Sequence, residues 1–322
     1  MFKGVDFFPH GTKWDIVGKR FWFVGLSWVL AIIAAGLLFT RGLNYGVDFK
    51  GGALIEVQAK SGSLDVGTLR DKLSKLGLGD IQVQSVGGGN EALIRVAQQA
   101  DDKAQSAATD KVRSALGTDV TIRRTEVVGP AVSAELKRTG IIAVVVSLIG
   151  IFLYVWFRFD LQFAFAAILA LVHDVFITAG MFSLMWIEFD LSVVAALLTL
   201  AGYSINDTVV VFDRIRENLR KFKKMPLPEL LNLAINETLS RTVLTSTVTF
   251  LAVLALYLFG TEVIHGFSFA MLFGIIIGSY SSIFVASSLL IALGVKRDVW
   301  SGEKGPSATP SSAAAIKAAA KK

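Results

Sequence analysis

The stretch Gly202-Tyr203-Ser204-Ile205-Asn206-Asp207-Thr208-Val209-Val210-Val211-Phe212-Asp213-Arg214-Ile215-Arg216-Glu217-Asn218 decides the fold. Its first half completes an apolar run that begins at Leu191 and ends at Phe212, and its second half turns abruptly to charge. A run of that length crosses the roughly 30 Å hydrocarbon core of a bilayer as a helix. Asn206 and Asp207 sit inside the apolar part. A carboxylate within a span is costly and so marks a functional site by default.

Five more runs flank this one: 21–40 and 140–157 and 161–186 before it, 242–260 and 266–293 after it. The pattern predicts six membrane spans. Composition agrees, since 322 residues with 53% hydrophobic and only 18% charged side chains are too apolar for an ordinary soluble protein. The first run follows Lys19-Arg20, as a signal peptide would. It is too long for a typical signal core and has no convincing small-x-small cleavage site, so it reads as an uncleaved span. The absence of cysteine excludes disulfides, thiolate nucleophiles and cysteine metal sites. His10, His173 and His265 show no metal-ligand spacing. No metal or cofactor is expected.

Residues 41–139 change character, with period-two and helical patterns in place of long apolar runs. Strands are expected over 53–58, 80–86, 91–97 and 118–126, and helices over 64–76 and 101–116. Gly87-Gly88-Gly89-Asn90 is a turn signal between the middle strands. The order βαββαβ predicts a ferredoxin-like α+β domain inserted between spans one and two. The fold class is therefore an all-α six-helix transmembrane bundle with one inserted α+β domain. Residues 1–20 read as a lead, 213–241 as a connector, and 294–322 as a tail that is disordered from about 300 on composition.

Charge sets the orientation. The loops 187–190 and 261–265 hold no Lys or Arg, whereas Arg158, the cluster from Arg214 to Lys224, Lys296 and Arg297 lie on the opposite side. Basic residues collect on the cytoplasmic side, so both termini are expected there and residues 41–139 outside, in the periplasm. The net charge of +6 then reflects topology and not a nucleic-acid partner.

Three ionisable groups fall well inside the runs: His173, Asp174 and Asp207. Asp207 lies about 9 Å from the connector end of its run at 1.5 Å rise per residue. Such groups serve either as packing pins or as members of a proton relay. Arg241 opens the fifth span, where a basic residue ordinarily snorkels to the interface. Thr242, Thr245, Ser246, Thr247 and Thr249 follow it, an unusual density of hydroxyls for a span. Asp213, Arg214 and Arg216 begin a charged extension of the fourth span, and Pro226 and Pro228 are expected to break it before an amphipathic helix over 229–239. Gly274 and Gly278 offer a close helix contact. Asp48, Phe49, Gly51 and Gly52 lead into the inserted domain, and Gly129 and Pro130 lead out of it. Both segments read as hinges.

Gly46-Val47-Asp48-Phe49 with Gly51-Gly52, Val128-Gly129-Pro130, His173-Asp174 and Gly202–Asn218 together resemble the motifs of the SecD/SecF family, on its SecF side. The resemblance covers about residues 20–298. It implies an RND-like membrane half and an external first domain. It implies partnership with SecD, the SecYEG channel and YajC in the bacterial inner membrane, and contact with exported unfolded polypeptide. It also implies that the proton gradient drives late steps of export, with Asp207 and Arg241 in the proton pathway beside an aspartate of SecD. Asn206, His173 and Asp174 are counted with them. The expected protein is a transport subunit and not an enzyme. Two rivals are an RND-type exporter of lipids or small molecules, and an intramembrane protease using Asp174 and Asp207. The second lacks a Gly-x-Gly-Asp motif.

Overall fold

The computed structural model describes residues 12–86 and 89–295. The sequence-predicted lead before residue 12, the Gly87-Gly88 turn and the tail after 295 lie outside the described residues. Among the described residues, six helical segments are long and apolar enough to cross a membrane. They are α1 (Arg20–Thr40), α5 (Pro130–Arg158), α6 (Leu161–Met185), α7 (Leu191–Lys221), α8 (Leu227–Phe259), and α9 (His265–Tyr280) continued by a π-helical turn (Ser281–Val285) and α10 (Ala286–Ala292). The protein is a multi-pass membrane protein.

Helix ends differ from the apolar runs in a consistent way. α5 starts at Pro130 rather than Gly140, with Gly129 as its N-cap. The two residues expected to be a hinge are thus the start of a continuous helix, because proline in the first turn lacks only an N–H that has no partner there. α7 runs on to Lys221, since nothing between Phe212 and Phe222 breaks the backbone ladder. Pro226 and Pro228 stand where α7 gives way to α8, as expected, with Pro226 as the N-cap of α8, but the helix they open continues unbroken through Arg241 to Phe259, so the amphipathic segment and the fifth span are one helix. Apolar length reports the bilayer, whereas caps and breakers report the helix.

The inserted segment contains β2 (Gly52–Ala59), α3 (Val66–Ser74), β3 (Ile81–Val86), β4 (Glu91–Val96), α4 (Asp102–Leu116) and β5 (Val120–Val128). The strands form one antiparallel sheet in the order β3-β4-β2-β5, with a bulge in the β2–β5 pairing at Glu56/Val57. Side chains alternate across a strand. Ala53, Ile55, Val57, Val83, Ile94 and Val96 therefore face α3 and α4, where they pack with Leu69, Leu73, Val112 and Leu116. Asp65 caps α3 and Asp101 caps α4.

The opposite face of the sheet turns to the bundle. Leu54 and Val128 pack there with Val47 of a short helix, α2 (Val47–Lys50), and with Leu93 and Leu136. A second, two-stranded parallel pairing was not foreseen: β1 (Asn44–Tyr45) beside β6 (Glu188–Phe189), which lies in the loop between α6 and α7. The bundle itself is close-packed at its centre. A Cβ on Gly274 of α9 would run into the Leu200 side chain of α7, and one on Gly180 of α6 would run into Ala34 of α1. Small residues let helix backbones approach this closely.

Candidate functional site

α7 buries a stripe at Val193, Ala196, Leu197, Leu200, Ser204, Asp207, Thr208, Val211, Phe212 and Ile215, the i, i+3, i+4 spacing of one helical face. Asp207 is on that stripe and is 2% exposed. Asn206, one residue earlier, points outward and is exposed. The adjacent polar pair is thus divided between the inside and the outside of the bundle.

Asp207 meets α8 and α9. Ser246 Oγ donates to its Oδ2 at 3.4 Å, and Ser246 Oγ pairs with Ser279 Oγ at 2.7 Å. Among the described residues no ion pair joins Arg241 to Asp207. Arg241 is exposed on α8, more than a turn below Ser246, and its carbonyl accepts from Thr245 Oγ1 at 3.1 Å. Of the expected hydroxyl-rich segment, Thr242 and Ser246 are buried and Thr247 is exposed.

Asp174 has a different surrounding. It is 0% exposed, and Ser204 Oγ of α7 and Ser281 Oγ of the π turn both donate to its Oδ2 at 2.7 Å. His173 Nδ1 lies 3.0 Å from Oδ1. Its Nε2 is buried and makes no hydrogen bond to a described residue. His173 lies on the wall of a groove of about 590 Å³ between α1, α6 and α10. Asp174 and Asp207 thus occupy one buried core but have separate hydroxyl partners.

The π turn explains how one helix serves both. A π turn inserts an extra residue and re-aims the side chains around it, which is common at functional sites. Ser279 reaches Ser246 of α8, Ser281 reaches Asp174 of α6, and Ser282 contacts Thr208 Oγ1 at 2.9 Å and the Ser204 carbonyl at 3.3 Å on α7. The sequence reading passed over these three serines. The cluster Gly278-Ser279-Tyr280-Ser281-Ser282 inside an apolar run was the available signal.

At the far end of α7, Asp213 receives two hydrogen bonds from Arg158 Nη2 at 2.9 and 3.1 Å. Arg214 bridges Glu217 and Glu237, each at 2.7 Å, and Arg216 donates to the Arg158 carbonyl at 2.9 Å. These contacts tie α7 to the end of α5 and to α8. At its near end, Leu191 N–H donates to Asp48 Oδ2 at 2.9 Å, and Val193 N–H to Asp190 Oδ1 at 2.9 Å. Phe49 sits against Tyr45 and Phe189 with ring centroids 6.0 and 6.2 Å away. Gly51 and Gly52 have φ of +72° and +121°, and a Cβ on Gly52 would strike the Val96 carbonyl. Only glycine fits that position.

Two family models match the chain. Residues 108–296 match "Protein export membrane protein SecD/SecF, C-terminal", and residues 36–62 match "SecD/SecF GG Motif". The chain is 45% identical to the protein translocase subunit SecF of Desulfurispirillum indicum, over 84% of this chain and 89% of that one. It is 46% identical to the SecF of Magnetococcus marinus, over 90% and 94%. The protein translocase subunit SecDF of Brucella abortus is also 45% identical, over 89% of this chain, but the chain spans only 38% of that longer protein. Among solved structures, SecDF from Thermus thermophilus, described as a translocon-associated membrane protein, superposes with a TM-score of 0.78 at 40% identity. That match covers 88% of this chain and 39% of the other.

Proposed function

We infer, from the premise that the chain belongs to the SecD/SecF family of protein export membrane proteins, that it is the SecF-like subunit of the Sec translocase. In this reading it works with SecD, and with SecYEG and YajC, in the bacterial inner membrane. Both termini are cytoplasmic, and residues 41–139 form a periplasmic ferredoxin-like domain. It carries out no catalysis and needs no cofactor, the proton gradient being its source of energy for late steps of export.

One observation carries the reading: Asp207 is buried at depth with the Ser246 hydroxyl 3.4 Å away, while Asn206 and Arg241 are exposed on the neighbouring helices α7 and α8. An exposed amide and guanidinium at a span are costly in lipid. A second chain packed on that face would cover both. The length of the SecDF relatives supports a partner, since this chain corresponds to 38–39% of them and the remainder would be supplied by SecD. Protonation of Asp207 alters its pairing as Arg241 and the partner's groups come within reach, and α7 tilts. Movement passes to the periplasmic domain through α1 and the Asp48–Gly52 segment, and the domain binds or releases emerging polypeptide.

The test is Asp207→Asn in membrane vesicles containing the assembled complex. Proton-driven export should be lost, while co-purification with SecD persists. Full proton-dependent export by a normally assembled variant would rule the mechanism out.

A further inference from the structure

The inserted domain is joined to the bundle covalently at two places. The chain enters through β1 and α2 after α1, and it leaves where β5 passes into α5. Two fixed points leave a body free to rotate about the line through them. The small apolar cluster of Val47, Leu54, Leu93, Val128 and Leu136 joins the entering and leaving segments to the bundle face of the sheet.

Beside that cluster, the sheet and the bundle are separated by a polar cleft of about 370 Å³. Glu56, Arg124 and Glu126 line it from the sheet, and Asp190, Ser192 and His265 from the bundle. Among the described residues one ion pair crosses it. Arg95 lies between Ile94 and Val96, which face the domain's own core, so alternation sends its side chain to the bundle face. Its Nη2 is 2.5 Å from Glu188 Oε2, and the two side chains are only 18% and 26% exposed. Glu188 is part of β6, three residues before α7 begins, and Asp48 holds the first N–H of α7.

We propose that the Arg95–Glu188 pair is the third attachment of the domain, a strut that fixes its rotation and makes it move as one body with α7. This rests on the reading of Asp207 as the proton-responsive group. Arg95 and Glu188 act here as positioning residues, through the domain and α7 that they join. They set where the domain points when α7 tilts. The polar cleft on either side of the pair leaves the strut to hold the domain without a large apolar interface.

Charge reversal separates a strut from a generic stabilising contact. Arg95→Glu and Glu188→Arg should each lower proton-driven export in vesicles about fivefold, the factor that one kcal/mol represents. The double reversal should restore it to within about twofold, since the pair is re-formed with opposite polarity. The chain has no cysteine, so spin labels can be placed singly at exposed Ser106 on α4 and exposed Thr199 on α7. The label-to-label distance distribution should be narrow in the parent, broad in each single variant and narrow again in the double. Single variants that export normally with unchanged distances, or a double variant that is not rescued, would overturn the strut. Asp207→Asn is measured in parallel. If it leaves proton-driven export intact, the functional reading fails on its own, whatever the reversal variants do.

Discussion

Removing the hydroxyls around Asp174 gives a magnitude that follows directly from geometry. Its Oδ2 accepts from Ser204 and Ser281, both at 2.7 Å, in a place with no solvent exposure. A hydrogen bond contributes about 0.5–1.5 kcal/mol net, and a buried acceptor left short of donors costs about 1–3 kcal/mol in desolvation. Ser204→Ala and Ser281→Ala should each destabilise the protein by about 2 kcal/mol. The two losses are expected to be non-additive, because both donors share one oxygen and His173 remains on the other. The two serines lie on different elements, α7 and the π turn. Their pairing through Asp174 is therefore a tertiary contact and not local helix propensity. Asp174→Asn keeps an acceptor for both serines and should cost less than Asp174→Ala. The assay is denaturation in detergent micelles followed by pulse proteolysis, with the four-member cycle of parent, both single variants and the double. If each serine variant stays within about 0.5 kcal/mol of the parent, the level of an ordinary surface change, Asp174 is not organised by these hydroxyls and the role assigned to the π turn is wrong.

Three further outcomes can be measured. Gly180→Ala would place a Cβ 2.8 Å from the Ala34 Cα and closer still to its Cβ. That overpacking should cost about 1–3 kcal/mol in micelle stability, with Ala34→Gly recovering only part of it because the backbone atom stays in the way. Gly52→Ala should weaken the central β2–β4 pairing by about 1–3 kcal/mol, since it combines a positive φ with a clash at the Val96 carbonyl. Amide exchange in β2 and β4 is the readout, and unchanged protection would contradict the steric argument. Hydrogen bonds from the Thr68 hydroxyl and from the Thr68 and Gly67 amides hold the Asp65 carboxyl below its ordinary range. A lowered folded-state value means stability that is present above the unfolded pKa and lost as pH falls through the folded one. Protection at Gly67 and Thr68, taken relative to the intrinsic exchange rate at each pH, should therefore fall on acidification through that window, and in Asp65→Asn the fall should be absent.

The six spans were legible because apolar run length is set by the bilayer, a one-dimensional quantity. The alternation at Ile94, Arg95 and Val96 was legible for a similar reason, since it needs only the local period of a strand. The helix ends were less so. α5 and α8 extend well beyond their apolar runs at the ends that leave the hydrocarbon, and there Pro130 and Pro226 decide where the helix begins. The π turn at Ser281–Val285 left no mark in the sequence, because an inserted residue is stabilised by what the neighbouring helices offer it, here Asp174, Ser204 and Thr208. The β1–β6 pairing was hidden for the same reason, as two residues per strand carry no periodicity.

The candidate site shows most clearly what run length leaves open. The apolar run fixed the depth of Asn206 and Asp207 but not the face of either. Successive residues on a helix point about 100° apart, and the burial stripe through Ser204, Asp207 and Val211 puts the carboxylate inside and the amide outside. Arg241 faces outward on α8 as well. Among the described residues Arg241 makes no ion pair with Asp207, and α8 buries Thr242 and Ser246 while leaving Arg241 exposed. The arrangement favours a relay completed from outside. In that case Asp207→Asn and Arg241→Ala should differ in kind. The first should abolish the response to protons and leave the partner bound, whereas the second should also weaken retention of the partner chain in gentle detergent. Equal retention in both variants would place Arg241 with the lipid, as a snorkelling anchor, and would remove it from the relay.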